Sequence, residues 1–305
     1  MAEASLARVP GARRRGTGRW RRALAAAAGV LAFWYGATGL LLALERSDAT
    51  RLLALGLAVA AAVAGAACVR AGARGAGAGA AARAVLGGAL LWVCVSATFY
   101  GGWVVGPAPL GTVAPADAGA GAPSLARAAA AVAATAYSSL LAAALLLVAV
   151  RAARGPRGRG LTQTSAAGRY GPIAFATLWA AHELAKLNVF LGVASPGAAY
   201  LPAYLAHFRQ FFGPARNSPL LAASVVALGA AAAALAVRAR RADPASARRT
   251  GLALLAGVLA LATFEHAMLG VRTPPEWWDA FVGWREQPAH HALAPDRQNA
   301  RPSTP

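Results

Sequence analysis

The sequence predicts an all-α, polytopic integral membrane helix bundle of about seven spans, with its N-terminus cytoplasmic and its C-terminus outside. Three observations lead there. Of 305 residues, 58% are hydrophobic and 13% charged, whereas a soluble domain carries about 25% charged residues. Apolar runs without a polar face recur at close to the ~20 residues that a membrane-crossing helix needs. The arginines between these runs alternate in number from one loop to the next, as the positive-inside rule requires.

The qualifying segments are 23–44, 52–69, 84–105, 128–150, 172–193, 219–237 and 252–271. The first follows seven arginines, and its 22 residues exceed the h-region of a signal peptide, so it reads as a retained span. Arginines number seven in residues 1–22, three in 70–83, five in 151–171 and five in 238–251, twenty in all. The alternate loops carry two, one and two, and the C-terminal tail four, nine in all. Twenty against nine places the first set in the cytoplasm. The chain thus divides into a basic cytoplasmic tail (1–22), a transmembrane bundle (23–271), and an outer aromatic segment with a disordered tail (272–305).

Two outer segments are more than loops. YLPAYLAHFRQFF at 200–212 places Pro202 in a first helical turn and Tyr204, Phe208 and Phe211 at helical spacing, predicting a short helix on the membrane-water interface. After the last span, Pro274-Pro275 precede Trp277, Trp278 and Trp284, residues suited to headgroup level. The Gly/Ala stretch 71–82 reads as a flexible connection. No internal repeat or pair of interrupted spans suggests a transporter.

The net charge of +19 does not indicate nucleic acid as a partner, because the arginines lie between apolar runs and form no continuous basic surface. Lys186 is the one lysine among thirty basic residues, a usage that reflects a GC-rich coding bias. The implied surroundings are membrane lipids. Cys68 and Cys94 lie in apolar runs and read as packing residues.

Ionisable residues inside spans are costly, and they face protein or water. The fifth segment holds His182, Glu183 and Lys186 on one helical face, with Trp179 and Phe190 above and below. Glu183 and Lys186, three apart, pair within the helix. Asn188 points the other way and requires a partner on another helix. The seventh segment holds Glu265 and His266. Lys186 and Glu265 lie about 21 and 20 Å from their inner ends, so His182, Glu183, Lys186, Glu265 and His266 are expected to share one interior. Four readings stay open: a structural clasp, tetrapyrrole ligation by His182 or His266, an acid–base or proton site, and a two-carboxylate, two-histidine metal centre. No nucleophilic triad or phosphate-binding glycine loop is present.

Several stretches resemble the PuhE-type photosynthetic complex assembly protein family of anoxygenic phototrophic bacteria. AKLNVFLGV at 185–193 is the specific one, followed by YLPAYLAHFRQFF at 200–212 and NSPLLAASVVA at 217–227. FWYGATGLLLAL at 33–44, FYGGWVVGP at 99–107 and FEHAM at 264–268 are also similar. Lys186, Asn188, Glu265 and His266 match the family pattern. Val95-Ser96 and Ser138-Ser139 stand where the family carries His-Glu or Gln-Glu pairs, and His182-Glu183 stand where Arg and Gln are usual. The resemblance implies a non-catalytic helper in the bacterial inner (cytoplasmic or intracytoplasmic photosynthetic) membrane. Its partners would be reaction-centre or light-harvesting subunits or other assembly factors. It also implies an influence on bacteriochlorophyll supply, with bacteriochlorophyll as a candidate ligand. The competing class is a membrane enzyme or pigment-handling protein of bacteriochlorophyll metabolism, which would use the His/Glu/Lys cluster.

Overall fold

The computed structural model describes residues 35–36, 39–40, 43–44, 47–105, 124–154, 166–197 and 201–272. The expected first span lies largely outside these residues. The aromatic segment with Trp277, Trp278 and Trp284 and the tail after it lie wholly outside them.

Ser47 opens the first fully described helix, α1 (Asp48–Arg74), with a capping box. Its side chain accepts from the Thr50 amide, and the Thr50 hydroxyl accepts from the Ser47 amide. Only Gly75 and Ala76 separate α1 from α2 (Gly77–Tyr100). Gly77 turns the chain at φ +72°, a conformation that favours glycine. The 71–82 stretch expected to be a flexible connection is therefore helical on both sides of a two-residue turn. Alanine is the best helix former and overrides the low-complexity signal.

The hairpin closes almost backbone to backbone. A Cβ on Gly65 would lie 2.8 Å from the Gly87 carbonyl oxygen, and one on Gly87 would lie 2.5 Å from that of Gly65. This is the small-residue packing of membrane helices.

The fourth segment is not one straight span. It divides into α3 (Leu125–Ala134) and α4 (Tyr137–Ala153), bent by 66°. Neither Pro nor Gly stands at the break. Thr135 stands at the break, and its hydroxyl donates back to the carbonyls of Ala131 (3.0 Å) and Val132 (3.1 Å). Its amide is shared between the same two carbonyls. Such back-bonding competes with the helical ladder, although Thr177 and Thr263 make it inside unbroken helices. The pair is thus a broken span or a re-entrant loop, and not the single straight span that the sequence predicts.

α5 (Tyr170–Leu191) follows. The chain then turns through Gly192 at φ +121° into a 3₁₀ helix, Ala203–Phe211. α6 (Pro219–Arg240) starts with Pro at its first turn, and α7 (Ala247–Leu269) starts at Ser246, whose side chain accepts from the Arg249 amide at 3.1 Å. α1 packs on α2, α6 on α7, and α2 also meets α5 and α7. Gly88 of α2 faces the backbone of Gly171 on α5, and Trp92 meets Phe175 four residues on in both helices, so α2 and α5 run parallel.

The 3₁₀ helix covers one end of the bundle. Leu205 and Phe208 are buried against Phe99, and the Tyr204 hydroxyl donates to the Tyr100 carbonyl. The expected interfacial helix thus turns apolar side chains toward protein. Arg51 anchors the same end. Its guanidinium donates twice to the Gly101 carbonyl and lies 3.9 Å from the Tyr204 ring centroid. The opposite end carries Arg70, Arg74, Arg151, Arg154, Arg238, Arg240 and Arg241 at helix C-termini and Arg248 and Arg249 at the start of α7.

Among the described residues, four helices (α1, α2, α6 and α7) are long and apolar enough to cross a membrane, or five spans if α3 and α4 count as one. α5 is comparable in length but carries His182, Glu183, Lys186 and Asn188, which make it too polar for that count. Cys68 is half-buried and Cys94 buried, and both are free thiols.

Gly88→Ala should force α2 from α5, because the added methyl meets the Gly171 carbonyl. We expect a loss of about 1–3 kcal/mol, typical of overpacking, read as a lower thermal midpoint in detergent. Gly56→Ala, where nothing lies within 4 Å, should leave the midpoint unchanged or higher.

Candidate functional site

Trp179, His182, Glu183 and Lys186 recur at helical spacing and line one face of α5. α2 covers part of this face with two rings seven residues apart. Trp92 meets the His182 ring edge-on at 5.3 Å, and Phe99 meets it at 5.4 Å. The imidazole is therefore wedged between two aromatic rings, and its Nε2 is buried without a hydrogen-bond partner. Phe99 also stacks edge-on against Phe208, which links the site to the 3₁₀ helix.

The ionic part of the site faces α4. Lys186 is 8% exposed, and its Nζ lies 2.9 Å from Glu183 Oε2. Nζ also donates to the Thr135 carbonyl at 3.4 Å, at the α3–α4 bend. The other Glu183 oxygen accepts from the Ser139 hydroxyl at 2.6 Å. The charge-assisted bonds in this chain are the strong class of hydrogen bond. They join two helices through one ion pair.

Asn188, on the opposite face and fully buried, donates to Ser224 on α6 at 3.0 Å and to the Leu184 carbonyl at 2.9 Å. It ties α5 to α6. Further along, Asn217 accepts from the Ala194 amide and donates to the Gly270 carbonyl, joining the loop after α5 to the end of α7.

The five-residue cluster expected from the sequence does not form as such among the described residues. His182, Glu183 and Lys186 are together, while His266 and Glu265 make no hydrogen bond or ion pair with them. His266 is 1% exposed, and its Nδ1 bonds to the Ala262 carbonyl of its own helix at 2.8 Å. Glu265 is exposed. The reason is geometric: neighbours on a helix point about 100° apart, so turning His266 inward turns Glu265 outward.

As tetrapyrrole ligands, His182 and His266 would each need an open slot for a flat macrocycle beside a ring nitrogen. Nε2 of both is enclosed by protein, and neither of the two open cavities described below is lined by either residue. No group of three His, Cys, Asp or Glu residues that could hold a metal occurs among the described residues. The bonds among Glu183, Lys186, Ser139 and the Thr135 carbonyl form a clasp between α4 and α5.

Sequence reasoning missed Ser139, the Thr135 carbonyl, and Trp92 with Phe99 as the walls around His182. Ser139 had a signal: the Ser138-Ser139 pair is a polar step within an apolar run. The Thr135 carbonyl had none, since its availability comes from the bend.

These features define an α-helical bundle of the multi-pass membrane type, joined internally by a buried polar clasp. The profile of a family described as "Protein of unknown function (DUF3623)" matches residues 21–288, and the chain belongs to that family. A Rhodobacter capsulatus protein described as "Uncharacterized 30.4 kDa protein in puhA 5'region" is 34% identical over 127 residues, which are 41% of this chain and 46% of that relative. The aligned part is thus under half the relative's length. No solved structure matches the chain.

Glu183→Gln should leave the Lys186 ammonium buried without its counter-ion, at a cost of about 3–5 kcal/mol. Glu183→Gln combined with Lys186→Met should recover most of that loss, because neither charge then remains. Glu265→Gln, at a position that faces out of the bundle within a span, should not lower stability, because a carboxylate facing an apolar medium is itself costly. Thermal unfolding of the purified variants in one detergent checks all three.

Proposed function

We propose that this chain is a non-catalytic assembly factor for the photosynthetic reaction centre or light-harvesting complex of an anoxygenic phototroph, resident in the bacterial inner membrane. The observation that carries the photosynthetic part is the relative located in the puhA 5' region, a photosynthesis-gene neighbourhood. The resemblance of the 185–193 and 200–212 stretches to the PuhE-type family points the same way.

The non-catalytic part rests on the clasp. Glu183 and Lys186 are engaged with each other, with Ser139 and with a backbone carbonyl, which leaves them to hold α4 against α5. By contrast, α1 presents Leu52, Leu57 and Val63 at 54–68% exposure. α4 and α6 present Leu140 and Val226 in the same way. These apolar faces suit lipid and the helices of partner subunits. An effect on bacteriochlorophyll would then be indirect, through the complexes that hold the pigment.

Tagged protein gently solubilised from phototrophically grown membranes should carry reaction-centre or light-harvesting subunits, identified by mass spectrometry. A deletion strain should lose assembled complexes while keeping its free bacteriochlorophyll pool. Accumulation of a pigment precursor, with no such subunits bound, would overturn this reading in favour of a pigment-handling enzyme.

A further inference from the structure

Two cavities open at the arginine-rich end of the bundle, and their linings differ. One, of about 360 Å³, is lined by Arg238, Arg241 and Arg248, from the end of α6 to the start of α7. The other, of about 340 Å³, lies between α1 and α4 and is lined by Ala66, Ala67, Val148, Ala152, Arg70 and Arg151. The second is amphipathic, and the order of its residues along each helix sets the direction.

On α1, Arg70 stands one helical turn beyond Ala66, toward the helix end at Arg74. On α4, Arg151 stands one turn beyond Val148, toward the end at Ala153. Residues three and four apart share a helix face. The groove therefore has its apolar wall on the deeper side and two guanidinium groups at its mouth, one from each helix. The small alanine side chains leave the space between the helices open. Among the described residues, no acidic residue lines it and neither arginine forms an ion pair with an acidic side chain.

A hydrated inorganic anion would suit the mouth but not the wall. A neutral apolar ligand would suit the wall but leave two facing positive charges uncompensated. We propose that the α1–α4 groove is a binding site for an anionic phospholipid, its phosphate held by Arg70 and Arg151 and its acyl chain laid along Ala66, Ala67, Val148 and Ala152. Guanidinium groups match phosphate oxygens through paired donors, and the ends of membrane-length helices lie at headgroup depth. Sequence reasoning placed arginines at this end for orientation alone. The site adds that two of them, 81 positions apart in sequence, converge on one cavity with an apolar floor.

The test uses the full chain in nanodiscs containing equal phosphatidylglycerol and phosphatidylcholine, with the lipid retained after mild detergent extraction measured by mass spectrometry. Retained phosphatidylglycerol should exceed phosphatidylcholine. Arg70→Gln and Arg151→Gln should each lower its retention about five-fold, while Arg70→Lys keeps the preference. Arg238→Gln, at the other cavity, should leave retention unchanged. Ala67→Phe should fill the wall and lower retention with both arginines intact, so the proposal stays testable if a Gln variant does not fold. Equal retention of the two lipids, or no change in folded Arg70→Gln, Arg151→Gln and Ala67→Phe proteins, would overturn it. Displacement of the lipid by excess inorganic phosphate would also overturn it, assigning the arginines to a free anion.

Discussion

An ammonium group held among apolar helices must be met by negative charge or oriented dipoles, and much of this bundle is arranged around that requirement at Lys186. Water cannot meet it there, because the residue is 8% exposed. Glu183 supplies the counter-charge from the same helix. The Thr135 carbonyl supplies a second acceptor, and it points at Lys186 from the α3–α4 bend. At that bend the Thr135 hydroxyl bonds its own preceding turn. Ser139, one turn further on, then satisfies the other Glu183 oxygen. The placement of α4 against α5 follows from one charge and from the short list of groups able to answer it.

A second constraint acts on the same face of α5, where it meets α2. Parallel helices in one sheet-less bundle have no short loop to hold them together, yet α2 and α5 run parallel in close contact. The contact is possible because Gly88 and Gly171 bring the two backbones together. Trp92 and Phe99 can then reach the His182 ring. Glycine packing against α2 and ionic bonding toward α4, side by side, fix the rotation of α5 about its axis. Asn188 completes this arrangement by bonding Ser224 on α6.

The helical class was legible because apolar runs of membrane length have few other uses, and the pairing of Glu183 with Lys186 follows from their spacing alone. Helix boundaries were less legible. Alanine-rich sequence at 71–82 reads as featureless by composition but is strongly helix-forming, so α1 and α2 extend nearly to each other. The bend at Thr135 was invisible because a threonine inside an apolar run most often leaves a helix straight. The grouping of Glu265 with Lys186 failed for a different reason. Residue counts address depth along a helix but not rotation about it, and rotation decides which of two adjacent residues, Glu265 or His266, faces the interior. Ser224, Trp92 and Phe99 were beyond reach for the same reason, since each depends on which helix neighbours α5.

α5 also bears on how the chain is made. With Glu183, Lys186, His182 and Asn188 in 22 residues, it is a poor candidate for independent partition into lipid as it leaves the ribosome, given about 2.5–3.5 kcal/mol for each central charge on insertion scales. Two of the elements that receive it, α2 and the bent α3–α4 pair, precede it in the chain and are synthesised first. Ser139, the Thr135 carbonyl and the Phe99 ring would therefore already be in place when α5 emerges. Its integration becomes a docking event onto earlier helices, and the order of synthesis becomes part of the folding mechanism.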